Sequence, residues 1–180
     1  MDEIKLKAPA TIANLSCGYD ILGLCLSEPY DEIQINKTAD KNIVLEIIET
    51  SFSNISSNPK DNTGGIPALL IKENLNLNFG FNIKIKKGIP LSGGLGSSAA
   101  TAVGVTFGIN KLLDNILTQD QMINYALEGE KITSNIPHAD NIGPCLLGGL
   151  ILVRQIDPID LIRLPIGSFY ISILHPEIKV

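Results

Sequence analysis

The chain has 180 residues, enough for one sizeable domain with its own core, and its 44% hydrophobic content excludes a disordered segment. A formal net charge of −5 argues against nucleic acid as the main partner, because neutralising phosphates takes clustered lysines and arginines. No run of about 18 apolar residues is present to cross a membrane, the Met1-Asp2-Glu3 start lacks the basic and apolar regions of a signal peptide, and Cys17, Cys25 and Cys145 have no metal-type spacing, so reduced thiols in a cytoplasm are expected.

Ile4 and Leu6 alternate with lysines and predict a short strand before Pro9; Ile33 and Ile35 predict a second, and 43–48 a third. Segment 50–62 is polar, rich in Ser and Asn, and reads as an exposed loop. Helical spacing follows over 66–74. Phe81, Ile83 and Ile85 alternate with Asn82, Lys84 and Lys86, which predicts a strand with one buried face. The basic cluster Lys84, Lys86 and Lys87 is either a solvated strand face or part of an anion site. A run of small and apolar residues over 99–113 predicts a buried helix, with Gly104 and Gly108 on one face for close packing on a sheet. Thr118 and Gln121 form a capping-box pattern for another helix, which turns Met122, Tyr125 and Ala126 inward and ends near Glu130. The apolar runs 150–153 and 169–174 predict closing strands. The pattern is α+β. His175-Pro176 follows the last run at once, so the domain is expected to be cut from something longer.

The stretch Ile89-Pro90-Leu91-Ser92-Gly93-Gly94-Leu95-Gly96-Ser97-Ser98-Ala99-Ala100 carries the strongest local signal. A strand, a glycine loop and a small-residue helix in that order place backbone N–H groups and a helix N-terminus around one point, which attracts phosphate. A Walker A loop requires lysine after the glycine, and Ser97 stands there. The dinucleotide fingerprint matches at Gly94, Gly96 and Ala99, but the preceding strand alternates instead of being apolar throughout, and no acidic residue ends a second strand at the right distance.

Two further constellations stand out. Asn14 and Asp20 lie in a stretch broken by Pro9, Gly18 and Gly23; they read either as turn residues or as partners for an ammonium and a hydroxyl. Pro137-His138-Ala139-Asp140-Asn141 precedes an apolar, glycine-containing run; its polar residues either brace a loop or face a ligand, and no second histidine or cysteine makes them a metal site.

The central loop resembles the P-x-x-x-G-L-G-S-S-A-A loop of the GHMP small-molecule kinases, which fixes eight positions in eleven, and matches all eight. Together with Ala8-Pro9-Ala10-Thr11-Ile12-Ala13-Asn14 and Asp20, and with His138-Ala139-Asp140-Asn141, it resembles the homoserine kinases of that superfamily across nearly the whole chain. Ser16-Cys17 replaces the family's usual Gly-Pro, and Tyr19 its Phe. The resemblance implies the N-terminal half of a GHMP kinase, with layers like domain 2 of ribosomal protein S5 and a left-handed βαβ crossover. Residues 1–180 would form the ATP- and substrate-binding domain, with the family's C-terminal domain absent from the chain.

The implied reaction is ATP + L-homoserine → ADP + O-phospho-L-homoserine, a step of threonine biosynthesis. By resemblance, Asn62, Thr63, Lys87, Pro90, Gly93, Gly94, Leu95, Gly96, Ser97 and Ser98 bind ATP, and Ser98 and Glu130 hold Mg²⁺. Asn14, Asp20, His138, Asp140 and Asn141 face homoserine, with Asp20 or Asp140 at its ammonium and Asn141 at its hydroxyl; Glu130 and Asn141 are the catalytic candidates, and no base is assigned. The implied partners are L-homoserine and ATP, without nucleic acid or membrane, and a homodimer when full length. The alternatives are another GHMP kinase, a non-catalytic ATP-binding paralogue and an S5-like RNA-binding module.

Overall fold

The computed structural model describes residues 1–48, 55–133 and 138–174. Part of the polar stretch 50–62, Pro137 and His175-Pro176 lie outside the described residues.

Strands β1 (Glu3–Leu15) and β2 (Gly18–Thr38) form a long antiparallel hairpin. The expected stop before Pro9 is not there. The strand runs on, and a register shift between Pro9 and Thr11 accommodates the residue that cannot donate a ladder bond. The hairpin also replaces the open stretch expected around Asn14 and Asp20. Both residues adopt left-handed backbone, each with φ 56°, and the Asn14 carboxamide accepts the Asp20 N–H at 2.8 Å. Asn and Asp tolerate that conformation better than other side-chain-bearing residues do.

β2 changes partners along its length. Residues 32–38 pair with β4 (Gly80–Lys86), and 22–24 pair with β5 (Leu150–Gln155). β3 (Ile43–Ile48) runs parallel to β4, with α1 (Gly65–Asn74) between them in sequence. β6 (Asp160–Leu164) pairs with β5, so the sheet order is β3-β4-β2-β5-β6 with β1 on β2. Helices α2 (Ser97–Leu112), α3 (Gln119–Glu130) and α4 (Ala139–Leu147) complete the expected α+β domain.

The core lies between sheet and helices. Ile33, Ile35, Phe81, Ile83 and Ile85 are all almost fully buried there, each stabilising the fold by about 1.5–3 kcal/mol. A Cβ on Gly104 would stand 2.4 Å from Ile33 Cδ1, and one on Gly108 2.7 Å from Ile35 Cδ1. These two positions let α2 lie directly on the strands, as the sequence suggested.

Three expectations need correction. The inward face of α3 is Ile123, Ala126 and Leu127, while Met122 and Tyr125 are only half-buried at its flank. The run 169–174 is not a strand: β6 already occupies the edge of β5, and Phe169, Tyr170 and Leu174 are exposed. Helix α4 was not foreseen, because Pro144 inside it and the glycines around it mask its period.

Candidate active site

The glycine-rich segment leaves β4 at Lys86 and enters α2 at Ser97. Gly94 and Gly96 take φ values of +68° and +63°, and Gly96 is the N-cap of α2, where no described side chain makes a capping bond. Helix α3 differs: Thr118 and Gln121 close the anticipated capping box at its start. The first-turn N–H groups of α2 are thus left for an incoming acceptor at the positive end of the helix dipole. The segment borders a cavity of about 550 Å³ that also touches Ile47, Ile85, Thr133 and α4.

Asn62, Thr63, Lys87, Pro90 and residues 93–98 all line this cavity. Their chemistry is not uniform. The Asn62 side chain already donates to Ser56 O at 2.8 Å and accepts from Gly64 N at 2.9 Å, so it holds the turn before α1. The Lys87 ammonium lies behind the loop, in an ion pair with Asp31, and donates to Ser97 O and Thr101 Oγ1, each at 2.8 Å. Burial lowers the Lys87 pKa, and the Asp31 carboxylate opposes that shift. The basic cluster therefore divides. Lys84 and Lys86 make exposed cross-strand pairs with Glu46 and Glu32, whereas Lys87 continues the buried face of Ile83 and Ile85.

Asn14, His138 and Asn141 also line the cavity, but Asp20 and Asp140 do not. Asp20 is exposed on the hairpin. Asp140, 1% exposed in the first turn of α4, has no hydrogen-bond partner on either carboxylate oxygen among the described residues. Burial raises its pKa; His138, with Nδ1 4.0 Å away, lowers it, and the Asp20 charge raises it further.

Glu130 ends α3 and is 2% exposed, with Oε1 unpartnered among the described residues. Burial raises its pKa, while the Ser98 hydroxyl and His138 favour the charged form. A desolvated carboxylate oxygen beside a hydroxyl suits a hard cation. Among the described residues no three His, Cys, Asp or Glu side chains form a metal cage, so a cation here would need oxygens from a bound ligand to complete its shell.

Three residues at this site escaped the sequence reading. Thr11 is completely buried and donates to Asn141 Oδ1 at 2.7 Å. Asp31 and Thr101 hold Lys87. Asp31 was detectable in principle, since it stands two residues before Ile33 on the same buried face of β2.

Residues 66–149 match the family model of the GHMP kinases N terminal domain. The homoserine kinase of Methanococcus maripaludis is 37% identical over 180 residues, all of this chain and 59% of that protein. The homoserine kinase of Chloroherpeton thalassium is 36% identical over 193 residues, all of this chain and 60% of that protein. Among solved structures, the homoserine kinase of Cytophaga hutchinsonii superposes with a TM-score of 0.87 at 39% identity, covering 93% of this chain and 53% of that one. The mevalonate kinase of Methanococcus jannaschii shares the fold, with a TM-score of 0.70 at 17% identity over 91% of this chain and 56% of that one. The chain thus spans about 59% of the length of the curated relatives it matches. With the glycine loop, the fold and the whole-chain likeness in agreement, the chain carries a GHMP kinase N-terminal domain.

Proposed function

We propose that the full-length protein phosphorylates the hydroxyl of L-homoserine with ATP, and that this chain supplies the phosphate loop and most of the amino-acid pocket. The observation that carries the reading is the convergence on one cavity of the α2 N-terminus, left without a side-chain cap among the described residues, with Ser98 and Asn141, while Glu130 lies buried behind that lining beside Ser98. Whole-chain likeness to homoserine kinases favours homoserine over the substrates of other GHMP kinases.

In this reading the amides of 93–98 and the first turn of α2 receive the ATP phosphates and stabilise charge that develops on them. Glu130 and the Ser98 hydroxyl hold Mg²⁺, which when bound neutralises phosphate charge. Asn62 and Lys87 act on the nucleotide side by fixing backbone, not as free donors, and Thr63 and Pro90 form the wall there. Asp140, with no partner on either carboxylate oxygen among the described residues, or Asp20 on the hairpin receives the substrate ammonium, at the edge of the cavity and not in its lining. Asn14 and His138 border the same end, and Asn141 orients the hydroxyl for in-line attack. Transfer through a loose transition state needs positioning more than a strong base, and none is assigned. The same reading carries a cytoplasmic location, supported by three free thiols, and a homodimer when full length, which sedimentation tests.

ADP release by the full-length protein, measured with homoserine, mevalonate and galactose in turn, tests the proposal. Turnover that depends on homoserine is expected, and equal turnover with all three acceptors refutes it. Glu130→Gln should reduce turnover by roughly 10²-fold or more while nucleotide still binds without metal. An unchanged maximal rate and Mg²⁺ requirement would remove Glu130 from the site.

A further inference from the structure

Thr11 stands where three parts of the site meet. It lies on β1 just after the register shift that follows Pro9, and bulges of this kind re-aim side chains next to functional sites. Its backbone N–H donates to Leu95 O at 3.1 Å, in the tip of the glycine loop. Its hydroxyl donates to Asn141 Oδ1 at 2.7 Å, in the first turn of α4. The fit against the loop is close: a Cβ on Gly96 would stand 2.0 Å from Thr11 Oγ1 and 2.8 Å from Asn141 Oδ1. Thr11 is completely buried, so water does not compete for its hydroxyl.

In this arrangement the Asn141 carboxamide, part of the cavity lining, has its Oδ1 bound to Thr11, and its Nδ2 makes no hydrogen bond among the described residues. An NH₂ group can hold a hydroxyl or phosphoryl oxygen in place, whereas a carbonyl oxygen turned the same way would repel the phosphoryl group. We propose that Thr11 is a positioning residue for the reaction: it fixes the Asn141 amide with its donor toward the acceptor hydroxyl and ties that orientation to the tip of the phosphate loop. The inference rests on the phosphotransferase reading above.

The test uses the full-length protein and variants that differ chiefly in the hydroxyl. Thr11→Ser retains it, Thr11→Ala removes it without adding bulk, and Thr11→Val removes it at nearly constant shape. Expected are a kcat near wild type for Thr11→Ser and a kcat lowered about tenfold or more for Thr11→Ala and Thr11→Val, since orientation errors act on the chemical step. KM for ATP should change less than threefold in all of them, because the loop amides remain. In an Asn141→Ala background, Thr11→Val should lower kcat no further.

The proposal is overturned if Thr11→Ala and Thr11→Val keep kcat within about twofold, or if Thr11→Val lowers kcat equally with and without Asn141. A loss confined to KM for ATP also overturns it. Should Thr11→Val not fold, the Ser and Ala pair decides alone. A wild-type protein without homoserine-dependent turnover would instead refute the phosphotransferase reading, and the two failures are therefore distinct.

Discussion

The Asp31 carboxylate and the Lys87 ammonium form a buried ion pair beneath the phosphate loop, and each ends an apolar run. Ile33 faces Ile85 across β2 and β4, and the ion pair extends that register by two residues. Asp31 also accepts the N–H of Gly88 at 2.9 Å and of Ile89 at 3.1 Å, while Lys87 reaches Ser97 O. Both stems of the loop are therefore fastened to β2. Removing one partner strands the other charge out of water, so Asp31→Asn and Lys87→Met should each cost about 3–5 kcal/mol. The double variant should cost clearly less than the sum, as contacting charges couple. Urea unfolding midpoints provide the comparison, and additive losses would show that the pair is not coupled.

The two left-handed glycines of the loop should respond differently to alanine. A Cβ on Gly94 meets nothing within 4 Å, so Gly94→Ala bears only backbone strain, about 1–2 kcal/mol. Gly96→Ala bears similar strain and also drives a methyl group into Thr11 Oγ1. It should cost more stability than Gly94→Ala and disturb Asn141 as well. Thermal unfolding of the two variants side by side checks the order, and a larger loss for Gly94→Ala would contradict the packing described.

Cysteine labelling should separate the three thiols. Cys17 is exposed at the hairpin turn, Cys25 is half-buried and Cys145 is buried. Burial raises the pKa of Cys25 and Cys145, which lowers their thiolate fraction. One equivalent should therefore react rapidly with an aromatic disulfide reagent, and Cys17→Ser should abolish that phase. Because Cys17 lies between Asn14 and Asp20, saturating homoserine should slow its labelling in the full-length protein. Equal rates with and without homoserine would place the hairpin turn outside the substrate's footprint.

Local period and local chemistry made much of this molecule readable in advance. The alternation of Phe81, Ile83 and Ile85, the small-residue run of α2 and the Thr118 capping box all appear as expected. What escaped depends on tertiary partners. Asp31 reads as an ordinary acidic residue until the register sets it against Lys87. Thr11 lies 130 residues from Asn141, and no periodicity connects them. The run 169–174 has strand composition but pairs with no described strand; β6, not this run, lies beside β5.

Among the described residues, Glu130 Oε1 and both Asp140 carboxylate oxygens have no hydrogen-bond partner, and burial raises both pKa values above the ordinary 4.5 and 3.8. An acid with a raised native pKa keeps its proton to higher pH when folded than when unfolded. Between the two values the native state binds more protons, so these groups lower stability as pH rises through that interval. Below the ordinary values the penalty is absent, and above the native values it is constant. Glu130→Gln and Asp140→Asn remove the titration while keeping the shape. Each variant's stability relative to wild type should therefore improve as pH rises from about 4 to about 7.5, without ligand. The other carboxylates cancel in that difference. Denaturant titrations at several pH values measure it, and a flat difference, or one that favours wild type at the higher pH, would mean that these carboxylates are solvated or paired in the folded protein. Nucleotide with Mg²⁺ should reverse the trend for Glu130 in the full-length protein, because a bound cation would pair with the charged carboxylate in the native state.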